Sequence, residues 1–433
     1  MGTIEYKKNN RFKQMFSSLK YRNFRLLWTG GVISSTGDFL EIVALNWLVY
    51  ELTNSPFYLG IFNLARSLPV LFFTLIAGAL SDKYERRKLM IYSQGTAMIL
   101  SAVLAVLAFA DKLTIYPIII IGILQGVANS FNLPIRQSLI TELVPKEIIV
   151  NAVALNGASL TLTLVIGPAL SGVIVGTFGV KYALLLNAIS FIAVIWALYT
   201  MKVPKVRKHE KNLFQSLKEG AVYIVHHNVI FTVILFSFIM IAIGLPYTTI
   251  LPVFAKDYFH LGAAGYGYLF AIAGIGALTG SLFSGVRSRE KVKNAMILSF
   301  IGVGAFLVLF GIAALFFSNY TIIFVILLVM IGFSMSTFNV TNNTILQLQV
   351  NDIYRGRVLS TLFLGFGLTS LGNFFMGWLA ELFSAPVAYI IVGSFLLVLS
   401  VIFVYLAKKL QKHIKWMKPS NSKTFKKQPH FYK

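Results

Sequence analysis

The sequence contains no cysteine. That excludes disulfides, a thiolate metal site and a cysteine nucleophile. Charge is scarce as well: 12% of the 433 residues are Asp, Glu, Lys or Arg, against 57% hydrophobic. Soluble domains carry about 25% charged residues. A chain this poor in charge cannot cover its surface with polar groups, and its mean hydropathy of +0.76 calls for a lipid solvent. Disorder, a coiled coil and an ordinary cytosolic enzyme are excluded. Nucleotide-binding signals are missing too. There is no P-loop, and Gly274/Gly276 and Gly365/Gly367 lie inside apolar runs, where they serve packing. ATP is therefore not the energy source, no cofactor is expected, and an ion gradient is the remaining supply. The polar, basic stretch Met1 to Arg25 precedes an apolar run too long for a signal core, so no cleaved signal is expected.

What is present is a series of long apolar runs. A hydrocarbon core of about 30 Å needs about 20 residues, and twelve runs meet that length. The first six are Phe24–Tyr50, Pro56–Leu80, Leu89–Ala110, Ile115–Ile135, Ile148–Val175 and Tyr182–Met201. The second six are Val229–Ala255, Ala264–Val286, Ala295–Phe317, Thr321–Ile345, Val358–Leu382 and Pro386–Ala407. The runs are continuous, not alternating, which favours helices over barrel strands. The expected fold is an all-α membrane protein of twelve transmembrane helices in two six-helix bundles. Its parts are an N-terminal segment (1–23), a first bundle (24–201), a central loop (202–228), a second bundle (229–407) and a basic tail (408–433). A weak repeat supports the halves: Ser130-Phe-Asn132 and Thr337-Phe-Asn339 lie 207 residues apart. Two such bundles suit a transporter that rocks about a site near the midplane.

Acids are few: 15 Asp+Glu against 38 Lys+Arg, for a net charge of +23. Thirty-four of the basic residues fall on the side of the membrane that carries both termini, and only Lys112, Lys181 and Lys256 on the other. This is a positive-inside signal, so both ends are expected in the cytoplasm of a bacterial inner membrane. The high charge is a topology and lipid-headgroup signal, and no nucleic-acid partner is expected. A monomer is expected, with protons, a small-molecule substrate and the bilayer as partners.

The remaining basic residue, Arg66, lies within span two, and Asp38 and Glu41 lie within span one. Each buried charge costs about 2.5–3.5 kcal/mol on insertion scales. Asp38 and Glu41 are three residues apart and share a helix face. The short link Glu51–Ser55 puts spans one and two antiparallel, with Arg66 at a similar depth. One carboxylate is expected to titrate, exchanging a proton for a cationic or polar substrate. A permanent salt bridge that orients two helices is the alternative use of these residues. Gln125, Asn129, Tyr247, Asn339, Asn342 and Asn343 are candidate cavity residues, with aromatic lining expected from 37 Phe and 19 Tyr. Interhelical hydrogen bonding is the competing role for each. His226 and His227 have no metal-ligand company.

The loop Gly78-Ala-Leu-Ser-Asp82-Lys83-Tyr-Glu-Arg86-Arg87-Lys88 resembles the signature loop of the major facilitator superfamily, with Glu85 in place of the usual glycine. The resemblance implies a gate in which Asp82 meets the start of span eleven near Val358, with the basic residues tying the loop to its neighbours. The corresponding stretch Gly280–Arg287 lacks the acid. In span five, Thr163-Leu-Val-Ile-Gly167-Pro168-Ala-Leu-Ser171-Gly172 resembles the proline–glycine motif of exporter branches. It implies export by antiport. The series Gly274, Gly276, Gly280 and Ser284 in span eight offers a complementary surface. Tyr21–Trp28, Ser35–Asp38, Trp47–Thr53 and Leu68-Pro69 resemble the macrolide-efflux and siderophore-exporter branch. The expected function is proton-coupled efflux of amphipathic molecules such as macrolides or other drugs. The rivals are a dedicated exporter of an endogenous metabolite such as a siderophore, and a non-transporting sensor or scaffold.

Overall fold

The computed structural model describes residues 16–201, 213–285, 291–318, 320–351, 354, 357–358, 361–362 and 365–413. The first bundle holds α1 (Arg22–Thr53), α2 (Pro56–Lys83), α3 (Arg86–Phe109), α4 (Ile115–Leu143), α5 (Ile149–Phe178) and α6 (Val180–Thr200). The second holds α7 (Asn228–Tyr258), α8 (Gly262–Gly285), α9 (Val292–Phe316), α10 (Thr321–Gln349), α11 (Thr369–Leu382) and α12 (Ala385–His413). Eleven of the described helices are long and apolar enough to cross a membrane, and α11 is the described end of the twelfth. No strand occurs among the described residues.

The halves repeat one packing scheme. The pairs α2–α4, α3–α6 and α3–α4 of the first bundle recur as α8–α10, α9–α12 and α9–α10 in the second. Two pairs make most of the contact between the bundles, α5–α8 and α2–α11, and the same pseudo-two-fold exchanges them. Small residues permit both crossings. A Cβ on Gly267 of α8 would collide with the Gly172 backbone of α5. A Cβ on Gly377 of α11 would lie 2.8 Å from Gly60 of α2. Helices in lipid gain no hydrophobic drive from packing, so close approach supplies the contact energy.

The helices overrun the apolar runs toward the face where α1 begins and α12 ends, hereafter the basic face. Helix α2 continues to Lys83, α4 to Leu143 and α10 to Gln349. Hydropathy marks where lipid stops, while backbone hydrogen bonding carries the helix past that point. One consequence corrects the sequence analysis: Arg136, just past span four as bounded there (Ile115–Ile135), lies inside α4 and is only 6% exposed. A second correction concerns the central loop, which contains a helix at Leu213–Val225. Gly220 of that helix packs on Arg357, and Glu219 pairs with Arg357 at 2.6 Å. Helix α7 is irregular: π turns at Met240–Gly244 and Phe254–Tyr258 flank a 3-10 turn at Leu245–Ile250. Pro246 and Pro252 cannot donate to the helical ladder, and such departures cluster where a helix lines a cavity.

The bundles meet at the face opposite the basic one. Four hydrogen bonds between the halves cluster there, involving Tyr50, Asn54, Ser55 and Phe57 of the first half and Lys256, Asp257 and Glu381 of the second. Toward the basic face there is open space beside two of the helices. A Cβ on Gly78 of α2 or Gly157 of α5 would meet nothing within 4 Å. Gly267→Ala is therefore expected to destabilise the folded protein by about 1–3 kcal/mol through overpacking. Gly157→Ala is expected to leave it unchanged or raise it by up to about 1 kcal/mol. Thermal unfolding in detergent checks the pair.

Candidate functional site

Glu41 of α1 is buried, 1% exposed, in the first bundle. Its carboxylate is fully engaged. Oε1 accepts from Arg66 Nη1 of α2 at 3.3 Å. Oε2 accepts from Ser101 Oγ of α3 at 2.5 Å and from Asn187 Nδ2 of α6 at 2.7 Å. Gln125 Nε2 of α4 donates to Ser101 Oγ at 3.2 Å, so five helices converge on one charge. The backbone allows this at Gly37, where a Cβ would collide with Ser190 and Asn187 of α6. An ionised carboxylate in this setting needs such company, because burial without it costs several kcal/mol.

Asp38, one turn earlier, is treated differently. It is partly exposed, and among the described residues it makes no hydrogen bond or ion pair within bonding distance. Its charged neighbours are Arg66, Glu41 and Arg136. The two acids that the sequence placed on one face thus take separate roles. Glu41 is bonded to three neighbours, while Asp38 has no bonded partner. Arg136 is the residue the sequence analysis missed as a site element. Its guanidinium lies against Gly31 of α1, where a side chain would collide with it. Its Nε and Nη2 are buried without a hydrogen-bond partner. The signal was there in principle, since Arg136 follows the apolar run directly.

A cavity of about 330 Å³ lies between the bundles. Asn63, Arg66 and Ser67 of α2, Asn129 of α4, Thr248 and Thr249 of α7, and Thr369 and Asn373 of α11 give it a polar wall. Ile42, Val70 and Leu245 are its apolar residues, and Asp38 sits one helical turn from Ile42. None of the eleven lining residues is aromatic, contrary to the expectation from composition. The aromatic rings instead pack within the second bundle, where Phe236, Phe254, Phe300, Phe310 and Phe403 are buried against one another or against nearby rings. Of the candidate cavity residues, Asn129 lines this space. Gln125 belongs to the Glu41 network. Tyr247 is buried, and its carbonyl accepts from Tyr389 Oη at 2.6 Å. Asn339 and Asn343 of α10 bond to each other at 2.7 Å away from this cavity, and buried Asn342 accepts from Ser237 Oγ at 2.8 Å.

At the loop joining α2 and α3, Arg86 pairs with Glu142 of α4 and donates Nε to Ser81 O at 3.2 Å. Arg87 Nη1 donates to Met201 O at 2.8 Å, closing the end of α6. Lys83 is exposed, with its ammonium 5.8 Å from the Tyr84 ring. The side chain of Asp82 lies outside the described residues, as does much of the segment it is expected to meet. Gly78 faces open space. In α5, a Cβ on Gly167 would collide with Phe39 of α1, and Ser171 Oγ donates to Leu40 O at 2.8 Å. Pro168 O and Gly172 meet α8 at Gly267. Of the α8 series proposed from sequence, Gly274 faces α5, whereas Gly276 and Gly280 face Val329 and Phe333 of α10.

This geometry has known counterparts. The sequence profile described as transmembrane secretion effector matches residues 13–430. The chain belongs to this family. It is a membrane transporter of the major facilitator type, not an enzyme. It is 29% identical over 380 residues to the staphyloferrin A transporter of Staphylococcus aureus, covering 87% of this chain and 94% of that one. It is 21% identical to macrolide efflux protein A of Streptococcus pyogenes, covering 79% and 86%. Enterobactin exporter EntS of Escherichia coli O45:K1 is 24% identical, covering 77% and 79%. In structure it resembles a bacterial homologue of the iron transporter ferroportin in an inward-facing state, with TM-score 0.70, 15% identity and coverage of 89% and 98%. A mutant of the nucleoside transporter NupG gives TM-score 0.72 at 15% identity, covering 89% and 99%.

Glu41→Gln breaks a buried, fully engaged pair and is expected to cost about 3–5 kcal/mol. Asp38→Asn removes no bonded partner and is expected to leave stability unchanged. Parallel thermal melts of the two purified variants check this difference.

Proposed function

We propose that this transporter is a proton-driven exporter of small, hydrophilic, oxygen- and nitrogen-rich molecules, with Asp38 as the carboxyl that exchanges a proton for substrate. The observation that carries the reading is the division of labour in α1. Glu41 has four polar neighbours, three of them donating to it, and Asp38 has none within bonding distance beside the cavity. Asp38, with no bonded partner, one helical turn from the cavity residue Ile42 and with Arg66 and Arg136 as charged neighbours, can exchange a proton at little structural cost. In this reading the basic face lies in the cytoplasm, in keeping with the lysine and arginine distribution, and the face joined by the four hydrogen bonds between the halves lies outside. Substrate enters from the cytoplasm and displaces the proton from Asp38. After the bundles rock, a proton from outside displaces the substrate. The resemblance of the motif around Pro168 to that of exporter branches supports export, and its glycines set the α5–α8 and α1–α5 approaches.

The polar wall favours a metabolite exporter over an amphipathic drug pump. Three asparagines, three threonines, a serine and an arginine can match several hydrogen-bonding groups on one solute. Promiscuous sites for apolar drugs rely on aromatic and flexible apolar surface instead. The staphyloferrin A transporter and enterobactin exporter among the relatives fit the first reading, and macrolide efflux protein A fits the second. A single experiment separates them. Inside-out vesicles with an acidified lumen are offered a citrate-type hydroxycarboxylate, a catecholate, a macrolide or ethidium. Accumulation of the hydroxycarboxylate or catecholate is expected, abolished by collapsing the pH gradient and reduced at least about tenfold in Asp38→Asn. Movement of only the macrolide or ethidium overturns the substrate class. Gradient-driven accumulation that survives Asp38→Asn overturns the coupling. No movement of any solute favours the sensor or scaffold.

A further inference from the structure

We propose that Glu381 is a positioning residue of the transport cycle: from the end of α11 it caps α2 across the bundle interface and holds the face opposite the basic one shut. The start of α2 is an unusual helix end. Ser55 stands at the N-cap, where its hydroxyl would ordinarily accept from its own helix, yet it makes no such bond. Pro56, at the first helical position, has no N–H to offer. The first free donor of α2 is therefore Phe57 N–H. Glu381 Oε2 takes it at 3.2 Å, and takes Ser55 Oγ–H at 2.7 Å. The cap that α2 lacks within its own bundle is thus supplied by the other one. A carboxylate there also meets the positive end of the helix dipole.

This contact belongs to one conformation. Directly beneath it the α2 and α11 backbones touch at Gly60 and Gly377, and Phe57 packs edge-on against Phe374 at 5.6 Å. Opening this face must draw the turn at Ser55 away from Glu381 while the contact below acts as a pivot. Once apart, water satisfies both the α2 donors and the exposed carboxylate, so breaking the contact shifts the balance of states without unfolding either bundle. Two further links, Tyr50 Oη–H to Asp257 and Lys256 Nζ to Asn54 Oδ1 at 2.6 Å, lie on the same rim but join α1 to α7. They leave the α2–α11 seam to Glu381. The inference rests on the exporter reading only for the statement that this face is outside.

The absence of cysteine makes the test direct. Ser67→Cys places a single thiol on the cavity wall. A membrane-impermeant maleimide is then applied to right-side-out and to inside-out vesicles. Glu381→Ala is expected to raise labelling from the outer face about two- to fivefold, the range a carboxylate at a helix start confers, and to lower it from the basic face. Ser55→Ala moves labelling the same way, Glu381→Gln falls between, and Glu381→Ala with Ser55→Ala adds little to Glu381→Ala alone. Unchanged outer labelling in Glu381→Ala overturns the proposal. If Glu381→Ala fails to fold, judged by size-exclusion profile, the same comparison with Ser55→Ala decides: unchanged labelling there overturns it too. Because the readout is accessibility and not transport, failure of the proton-coupling reading leaves this result standing, and the reverse.

Discussion

The Glu41–Arg66 pair is the constraint on which the first bundle is built. A carboxylate at this depth is tolerated only with donors on every side, and α1, α2, α3, α4 and α6 each contribute a residue to its network. The demand fixes how these helices rotate about their axes. It sets Gly37 against Asn187 and Ser190 of α6. It also turns Arg66 so that one part faces Glu41 and the rest faces the cavity. By absorbing the charge of Arg66, Glu41 leaves Asp38 without a bonded partner. A buried ion pair and a carboxyl without a bonded partner thus sit one turn apart.

The same physics governs how the two halves hold each other. Within each bundle, large apolar contact areas and buried polar networks make a rigid body. Between bundles the contacts are small residues in the middle and polar groups at one rim. Small-residue contacts and a polar rim are the kind of interface that rocking about a central cavity requires. The carboxylate of Glu381 at the α2 start belongs to the arrangement seen here. The sequence pattern expects Asp82 to serve the other end of the same helix pair in the opposite state.

The twelve-span architecture was legible because hydropathy and loop charge are direct images of a bilayer, and the six-helix repeat follows from them. Asp38, Glu41 and Arg66 were legible for the same reason: charge inside hydrocarbon is expensive and stands out. What the sequence could not divide was the work among them, since i and i+3 positions share a face whether or not donors from α3 and α6 reach one of them. Ser101 and Asn187 are ordinary polar residues in sequence and become decisive only when α6 is packed on α1. Arg136 was hidden because hydropathy ends at Ile135 while the helix continues to Leu143. The helix at Leu213–Val225 fell in a stretch too polar to count as a span. The polar cavity was obscured by composition, because aromatic residues abundant in the chain are spent inside the second bundle.

The central claim of the proposed mechanism is that Asp38 is the carboxyl of α1 that exchanges a proton. Infrared difference spectroscopy of the purified protein across a pH series tests it most directly, through the protonated-carboxyl stretch. The account predicts a band that appears and disappears with pH, is lost in Asp38→Asn, and persists in Glu41→Gln. A band that survives Asp38→Asn and vanishes in Glu41→Gln would contradict it.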